Sequence, residues 1–298
     1  MTVKIVNMEY ARQVPIFKLY GGHDEWPTPD LVHCETIASR SKLHNWHIRP
    51  HRHTGLYQIL YLHQGNAIVQ LDERRHRLAG RQVVEVPQTV VHGFEFDHDC
   101  QGYVMTIAYP LLTQLSRNLD ESAPLPSLPH IHVLERRVDQ DTIRNAFTRL
   151  NAEYTARAPY RGIQIEALLT LIYVWLRRNR PIGQRLAPRP RSHEHFSRFG
   201  ELLDQSHTTH HDVAYYARTL GITPAHLNVI TRNQADKSPL ELIHERLLLE
   251  ASRSLVYTSM TISEISYELG FSDPAYFTRF FKKASGVSPK AFRQRAGT

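Results

Sequence analysis

Residues 261–293 read TISEISYELGFSDPAYFTRFFKKASGVSPKAFR and carry the strongest structural signal in the chain. The stretch begins with three residues at i, i+4, i+7 spacing, which share one helix face: Ile262, Ser266 and Leu269. Gly270 follows, as expected where a helix ends in positive φ. Asp273 and Pro274 then supply the N-cap and the first residue of a second helix. Such a helix, glycine turn and second helix predict a helix-turn-helix.

The same pattern occurs earlier in the chain, at a shift of 49 residues before the turn and 50 after it. Its helix face consists of Val213, Ala217 and Leu220. Gly221 follows, and Thr223 and Pro224 repeat the N-cap and the helical proline. One copy alone would fit an ordinary α-helical bundle equally well. Two copies with matching caps favour tandem helix-turn-helix units.

Residues 239–257, between the two copies, predict a linker helix. Ser238 and Glu241 form a capping box at its start, and Thr261 and Glu264 form another before the next helix. About eighteen residues make a rod of roughly 27 Å. A rod of that length suits two recognition helices about 34 Å apart, in successive major grooves.

The net charge of +7 supports nucleic-acid binding only locally. From His193 onward, 12 Lys and Arg residues face 11 Asp and Glu residues, so this part is nearly neutral. Segment 279–295 contains no acid and six basic residues: Arg279, Lys282, Lys283, Lys290, Arg293 and Arg295. The DNA-binding prediction therefore depends on pattern more than on total charge.

Residues 195–298 resemble the DNA-binding domain of AraC/XylS transcription regulators, and residues 261–293 resemble that family's signature. The resemblance implies double-stranded promoter DNA and RNA polymerase as partners. It also implies DNA contacts on both recognition helices, at Ala225, Asn228, Val229, Pro274, Ala275, Tyr276, Thr278, Arg279 and Lys282. Asn228 suits adenine. Arg279 reads a base or contacts a phosphate, and Lys282 contacts a phosphate or lies on a solvated face.

Residues 15–110 predict mainly β-structure, because short apolar runs at 56–62, 67–71 and 83–86 are separated by turn residues. A polar, proline-bearing segment at 116–130 precedes two predicted helices, at about 139–157 and 162–178. We predict an α+β protein. A cupin-like β-barrel with dimerisation helices is followed by an all-α domain, in which a linker helix joins two helix-turn-helix units. The expected boundaries are 1–180 for the effector-binding and dimerisation domain, 181–194 for a linker and 195–298 for the DNA-binding domain.

The helix predicted at 162–178 carries an apolar stripe, formed by Ile165, Leu168, Leu169, Ile172 and Leu176. No partner for this stripe is evident in the β-domain, so we expect it to mediate a homodimer. The alternative is that the helix packs back on the barrel.

Three histidines in the β-domain, His51, His53 and His92, resemble the two motifs of cupin barrels, which bring histidines and an acid to the barrel mouth. Gln58 stands where that acid is expected. An effector pocket, a metal site and structural histidines are three open interpretations. Because Gln is a poor metal ligand, we favour the effector pocket and predict no metal and no cofactor.

An aromatic acid is the effector class that these residues suit. Arg49 and the three histidines can donate hydrogen bonds to a carboxylate, and Tyr57 and Phe94 can stack on a ring, although Phe94 is equally suited to the core. Residues 14–53 resemble regulators that sense 4-hydroxybenzoate or 4-hydroxyphenylacetate, which implies an inducer-dependent activator of aromatic-acid catabolism. The predicted effector site is Arg49, His51, His53, Tyr57, Gln58, His92 and Phe94.

Other function classes lack support in the sequence. The chain begins without a secretory signal, its longest apolar stretch at 168–176 is too short for a bilayer, and Cys34 and Cys100 form no CxxC pair. We therefore expect a cytoplasmic protein without membrane association. Since no catalytic triad, phosphate loop or carboxylate pair stands out, we expect no enzyme activity. A cupin metalloenzyme fused to a DNA-binding domain and a ligand-independent DNA-binding protein are the alternatives.

Overall fold

The computed structural model describes residues 16–17, 31–42, 44–119, 125–156, 158–180 and 191–296. The chain divides into two compact units, and the described residues up to 180 belong to the first and those from 191 to the second. Residues 181–190, which form most of the predicted linker, and residues 18–30 of the segment 14–53 lie outside the described part. The domain boundaries at 180 and 195 stay predictions.

The first unit contains two five-stranded sheets, with strand orders β1-β3-β8-β5-β6 and β10-β7-β4-β9-β2. Every described strand pair is antiparallel except β1 with β3. The strands are β1 Ile16–Phe17, β2 Val32–Thr36, β3 His47–His53, β4 Leu56–Gln64, β5 Asn66–Leu71, β6 Arg74–Ala79, β7 Gln82–Val86, β8 His92–Phe96, β9 Gln101–Ala108 and β10 His130–Val133. The predicted sheet-rich domain is confirmed, and its runs at 56–62, 67–71 and 83–86 become β4, β5 and β7.

Strand β4 shows how one sheet serves two cores. Side chains on successive residues of a strand point to opposite faces. Leu60 and Leu62 belong to the apolar core shared with strands of the other sheet. Tyr57, Ile59 and Tyr61 belong to a second core, which the helices of this unit cover. Both faces of β4 are therefore buried, which explains its nearly continuous apolar sequence.

The described residues of the first unit form four helices: α1 Ile37–Lys42, α2 Tyr109–Leu119, α3 Arg137–Thr155 and α4 Arg161–Arg178. The predictions for α3 and α4 are confirmed. Helix α2 and strand β10 were not predicted, and they flank a segment that was expected to be only a connection.

The apolar stripe of α4 packs within its own unit, which corrects the sequence-based reasoning. Ile165, Leu169, Ile172 and Leu176 are all buried in the core against the sheet. The partner that the sequence did not reveal is the outward face of the β10-β7-β4-β9-β2 sheet together with α2 and α3. The stripe therefore gives no support to a homodimer.

The second unit is helical, with one core that includes residues of both predicted helix-turn-helix units. Its helices are α5 Arg191–Ser206, α6 Val213–Thr219, α7 Pro224–Ala235, α8 Pro239–Tyr257, α9 Ile262–Glu268, α10 Pro274–Ser285 and α11 Pro289–Ala296. Both helix-turn-helix pairs, α6–α7 and α9–α10, are confirmed. The linker helix α8 has its predicted bounds and packs against α5, α7, α9, α10 and α11.

Helix caps in the second unit match the sequence signals. Thr223 and Asp273 accept hydrogen bonds from the first-turn amides of α7 and α10, and both predicted capping boxes form. The turn residues Gly221 and Gly270 have φ of +70° and +78°. At the ends of α7 and α10, Asp236 and Gly286 also adopt positive φ, as their matching positions predict.

Both cysteines of the chain, Cys34 and Cys100, are buried and unbridged. Burial, followed by the charge of Glu35, raises the pKa of the Cys34 thiol to about 12. Burial also raises the pKa of Cys100. None of the described helices is long and apolar enough to cross a membrane.

Candidate functional site

The first recognition helix, α7, separates a core face from an outward face. Leu227 and Ile230 are buried in the core of the second unit. All three predicted DNA contacts are exposed: Ala225, Asn228 and Val229. Val229 is 55% exposed. An apolar exposed residue on this helix suits contact with a thymine methyl group.

The second recognition helix, α10, has the same division. Phe277 and Phe281 are fully buried and hold the helix in the core. Of the predicted contacts, Ala275, Tyr276, Arg279 and Lys282 are exposed, whereas Pro274 and Thr278 are half-buried. The Thr278 hydroxyl donates to the Pro274 carbonyl, at 2.8 Å. This internal bond makes Thr278 less available than its exposed neighbours.

Arg279 lies at the outward face of α10 with two local partners. Its guanidinium lies 5.9 Å from the centre of the Tyr276 ring, and Nη2 is 3.9 Å from Asp273 Oδ2. The Arg279 side chain is 69% exposed. An exposed arginine held near a recognition-helix N-terminus can reach a guanine edge or a phosphate.

One member of the basic segment 279–295 has a structural role instead. Arg293 donates to the Leu255 carbonyl at the end of α8 and to the Met260 carbonyl, at 3.0 and 2.6 Å. Its charge therefore stabilises a helix end inside the unit. Lys282, Lys283 and Lys290 are exposed, and they carry the outward charge of this segment.

The loop after α5 connects the two helix-turn-helix units directly. His211 Nε2 donates to the Leu269 carbonyl at 2.9 Å. A Cβ on Gly270 would lie 1.9 Å from the Thr208 carbonyl oxygen, so only glycine allows this approach. Together with α8, this contact fixes the second turn against the first half of the unit.

In the first unit, His51, His53 and His92 form a buried histidine cluster. Their exposed fractions are 2%, 5% and 0%. The ring centres are 4.3 to 5.0 Å apart, and one ring nitrogen from each residue lies within 4.8 Å of the other two. Strands β3 and β8 bring them together, because His51 pairs with His92 and His53 follows two residues later on the same strand.

Backbone carbonyls orient two of these rings. Nδ1–H of His51 donates to the Arg49 carbonyl at 2.8 Å, and Nδ1–H of His92 donates to the Val90 carbonyl at 2.9 Å. Burial lowers the pKa of His51 to about 4 and the pKa of His92 well below its ordinary value. Both rings are therefore neutral at pH 7, with their lone pairs on Nε2.

The other predicted effector residues divide into two groups. Phe94 lies beside the cluster, with its ring centre 5.9 Å from that of His92, and Gln58 is buried on the inward face of β4. Arg49 has an exposed side chain, and a β-bulge interrupts the register between Ile48 and His51. Arg49 thus contributes its carbonyl to the cluster and not its charge.

Tyr57 points away from the histidine cluster, which corrects its grouping with them. As the neighbour of Gln58 it lies on the opposite face of β4, where its hydroxyl donates to Glu85. His132 Nε2 also donates to Glu85, at 2.6 Å, and the Arg180 guanidinium lies 3.5 Å from both carboxylate oxygens. Burial opposes ionisation of Glu85, but the His132 hydrogen bond and the Arg180 charge hold its pKa below the ordinary value.

Sequence reasoning missed this buried network of Tyr57, Glu85, His132 and Arg180. The available signal was a single acid inside the apolar run 83–86. An ionised carboxylate in a buried strand requires partners. Here the partners are Tyr57 on β4, His132 on β10 and Arg180, which lies two residues after α4.

Two family descriptions match the chain. Residues 33–172 match the AraC-like ligand binding domain, and residues 216–295 match a helix-turn-helix domain. The chain therefore joins an AraC-like ligand binding domain to a helix-turn-helix domain, the domain pair of AraC family transcription regulators. The ligand binding match lies in the first unit and the helix-turn-helix match in the second.

Several known proteins align with parts of the chain. The arabinose operon regulatory protein of Escherichia coli is 29% identical over 133 residues, which are 45% of this chain and 45% of that protein. Its Salmonella typhimurium counterpart is 33% identical over 92 residues, 31% of this chain and 33% of that protein. A crystal structure of ToxT from Vibrio cholerae has 10% identity and a TM-score of 0.42, covering 89% of this chain and 98% of that chain. The chain spans less than half the length of the two arabinose regulators.

Proposed function

We propose that this AraC family regulator binds promoter DNA through α7 and α10 and activates aromatic-acid catabolic genes in response to a hydroxylated aromatic acid. The effector binds in the first unit, at the histidine cluster and Phe94. RNA polymerase is the partner through which activation occurs, and the active form is a cytoplasmic homodimer.

The buried histidine cluster is the observation that carries the effector part of this proposal. Three buried imidazoles and the Gln58 amide supply polar atoms inside an otherwise apolar core. Phe94 adds a ring surface beside them. Ligand sites of this kind combine a mainly apolar lining with a few convergent polar groups. An aromatic acid has the matching chemistry, a flat ring and a hydrogen-bonding carboxylate.

The names of relatives support a role in catabolic gene control. Two matching proteins are arabinose operon regulatory proteins, and another is the lactose operon transcription activator of Staphylococcus xylosus. Because these names refer to sugars, a sugar is the natural comparison ligand for the test.

A thermal-shift measurement on the full chain tests the effector. 4-Hydroxybenzoate or 4-hydroxyphenylacetate at about a hundred times its dissociation constant should add roughly 2.7 kcal/mol to the free energy of unfolding. His53→Ala should remove most of this stabilisation, because it deletes a polar group of the cluster. The control is His47→Ala, an exposed histidine on the same strand β3, which should leave the shift intact.

Two results would contradict the proposal. Stabilisation by arabinose and by no aromatic acid would show that the effector class is wrong. An aromatic-acid shift of the same size in His53→Ala would place the effector elsewhere.

A further inference from the structure

The histidine cluster has the composition of a metal site. One nitrogen from each of three buried imidazoles lies within 4.8 Å of the other two. Three nitrogens bound to one ion at about 2.0–2.1 Å lie about 3.4 Å apart in a tetrahedral arrangement. Binding of an ion therefore requires the nitrogens to approach one another by up to about 1.4 Å.

Backbone hydrogen bonds prepare two of the rings for this role. Histidine ligands usually donate the other ring N–H to a carbonyl or carboxylate, which fixes the tautomer and the ring orientation. His51 and His92 do so, through Nδ1 to the carbonyls of Arg49 and Val90. Each acceptor is two residues before the histidine, so the local backbone itself sets both rings.

Gln58 led the sequence analysis to predict no metal, but the three histidines converge without it, and we propose that His51, His53 and His92 bind one divalent transition-metal ion, which holds the carboxylate of the effector. Neutral imidazoles suit Zn²⁺, Fe²⁺, Ni²⁺ and Cu²⁺. Three protein ligands leave at least one coordination position open. The site therefore binds an ion and keeps room for one more ligand atom.

Charge indicates what that ligand is. All three histidines are neutral ligands, and Gln58, buried on the inward face of β4, is neutral as well. The bound ion therefore keeps its double positive charge inside a buried site, which favours an anion in the open position. This second part rests on the proposed function, whereas the metal site itself does not.

Titration of the full chain with Co²⁺, after removal of metals by a chelator, tests the metal site. We expect one ion per chain, with the visible absorption of nitrogen-ligated cobalt. His53→Ala and His92→Gln should each weaken binding more than the roughly 10- to 100-fold that loss of an outer-shell partner costs. The exposed His47→Ala is the matched control and should bind cobalt as the unaltered chain does.

Circular dichroism of each metal-free variant separates lost ligation from lost folding, and only folded variants are compared. Absence of the cobalt absorption in the unaltered chain would overturn the proposal. Equal cobalt affinity in folded His53→Ala and His92→Gln would do the same, because binding would then occur at other histidines.

The aromatic-acid shift, measured with and without metal, distinguishes the two proposals. A shift that requires the metal supports both. An equal shift in the metal-free chain overturns the metal-held carboxylate and leaves the proposed function intact. Cobalt binding without any aromatic-acid shift overturns the proposed function and leaves the metal site intact.

Discussion

Arg279 is the residue on which DNA specificity can be tested most directly. Its guanidinium is exposed on the outward face of α10, beside Tyr276 and Asp273. If it reads a guanine, Arg279→Ala should cost about 1–3 kcal/mol of binding free energy and relax the preference at one base pair. Affinities for a selected site and for its single-base variants measure both effects.

Arg198→Ala is the control for Arg279→Ala. Arg198 is an exposed arginine on α5, outside both recognition helices, and its loss should change affinity little. Arg279 contacts a phosphate if Arg279→Ala lowers affinity equally on all sequences and also reduces the slope of log affinity against log salt concentration by about one. The base-reading assignment would then be wrong.

Single residues also show where sequence reasoning ends. Strand alternation predicts that His51 and His53 share a face, and the structure confirms this. The same rule places Tyr57 and Gln58 on opposite faces of β4, so they belong to different sites. Arg49 could not be placed from its spacing, because the β-bulge before His51 changes which side chains are buried. A bulge depends on strand pairing, which one segment of sequence does not contain.

At the scale of elements, the two turn glycines differ in a way that a matched pair of variants can measure. Gly221 and Gly270 have nearly the same positive φ, but a Cβ on Gly221 would meet nothing within 4 Å. Gly221→Ala should therefore cost only the left-handed backbone penalty, about 1–2 kcal/mol. Gly270→Ala should cost about 1–3 kcal/mol more, because its Cβ meets the Thr208 carbonyl.

Urea unfolding followed by two signals measures this difference. Far-ultraviolet circular dichroism reports on the helical second unit. In a Trp26→Phe background the remaining tryptophans are Trp46 and Trp175, both in the first unit, so their fluorescence serves as an internal control. Equal destabilisation by Gly221→Ala and Gly270→Ala would contradict the role of the Thr208 contact.

Elements with local signals were predicted well, and elements that depend on distant partners were not. The bounds of α8 follow from Ser238, Pro239 and the capping box, all adjacent in sequence. Strand β10 has four residues and exists through pairing with β7, about fifty positions earlier. The stripe of α4 could be recognised, but its partner could not, because the sheet face opposite is assembled from separate strands.

At the scale of the whole molecule, the fixed spacing of the two recognition helices, α7 and α10, can be tested by DNA binding. Helix α8 has 19 residues, a length of about 28 Å, and the contacts of His211 and Gly270 join the loop before α6 to the end of α9. On a site selected from random DNA, inserting about 5 base pairs between the two contacted segments should abolish high affinity. Inserting about 10 base pairs, one helical turn, should not restore it, because the rod cannot span the extra 34 Å or so.

The two insertions distinguish a rigid unit from two flexibly joined ones. Flexible connection would allow the second recognition helix to rebind after a full-turn insertion, and affinity would return. Competition binding of the original and lengthened sites measures this. Recovery at about 10 base pairs would contradict the single-core description of the second unit.

The burial of Cys34 and Cys100 makes the native chain suitable for site-specific chemical labelling. Thiol reagents attack the thiolate, and burial both shields these two sulfurs and keeps them protonated. The sequence contains no third cysteine. A single introduced thiol, such as Ala225→Cys on the exposed face of α7, is therefore the only one that a maleimide dye reaches in the folded protein. A fluorophore attached there reports the approach of DNA to α7 without removal of any native residue from the core.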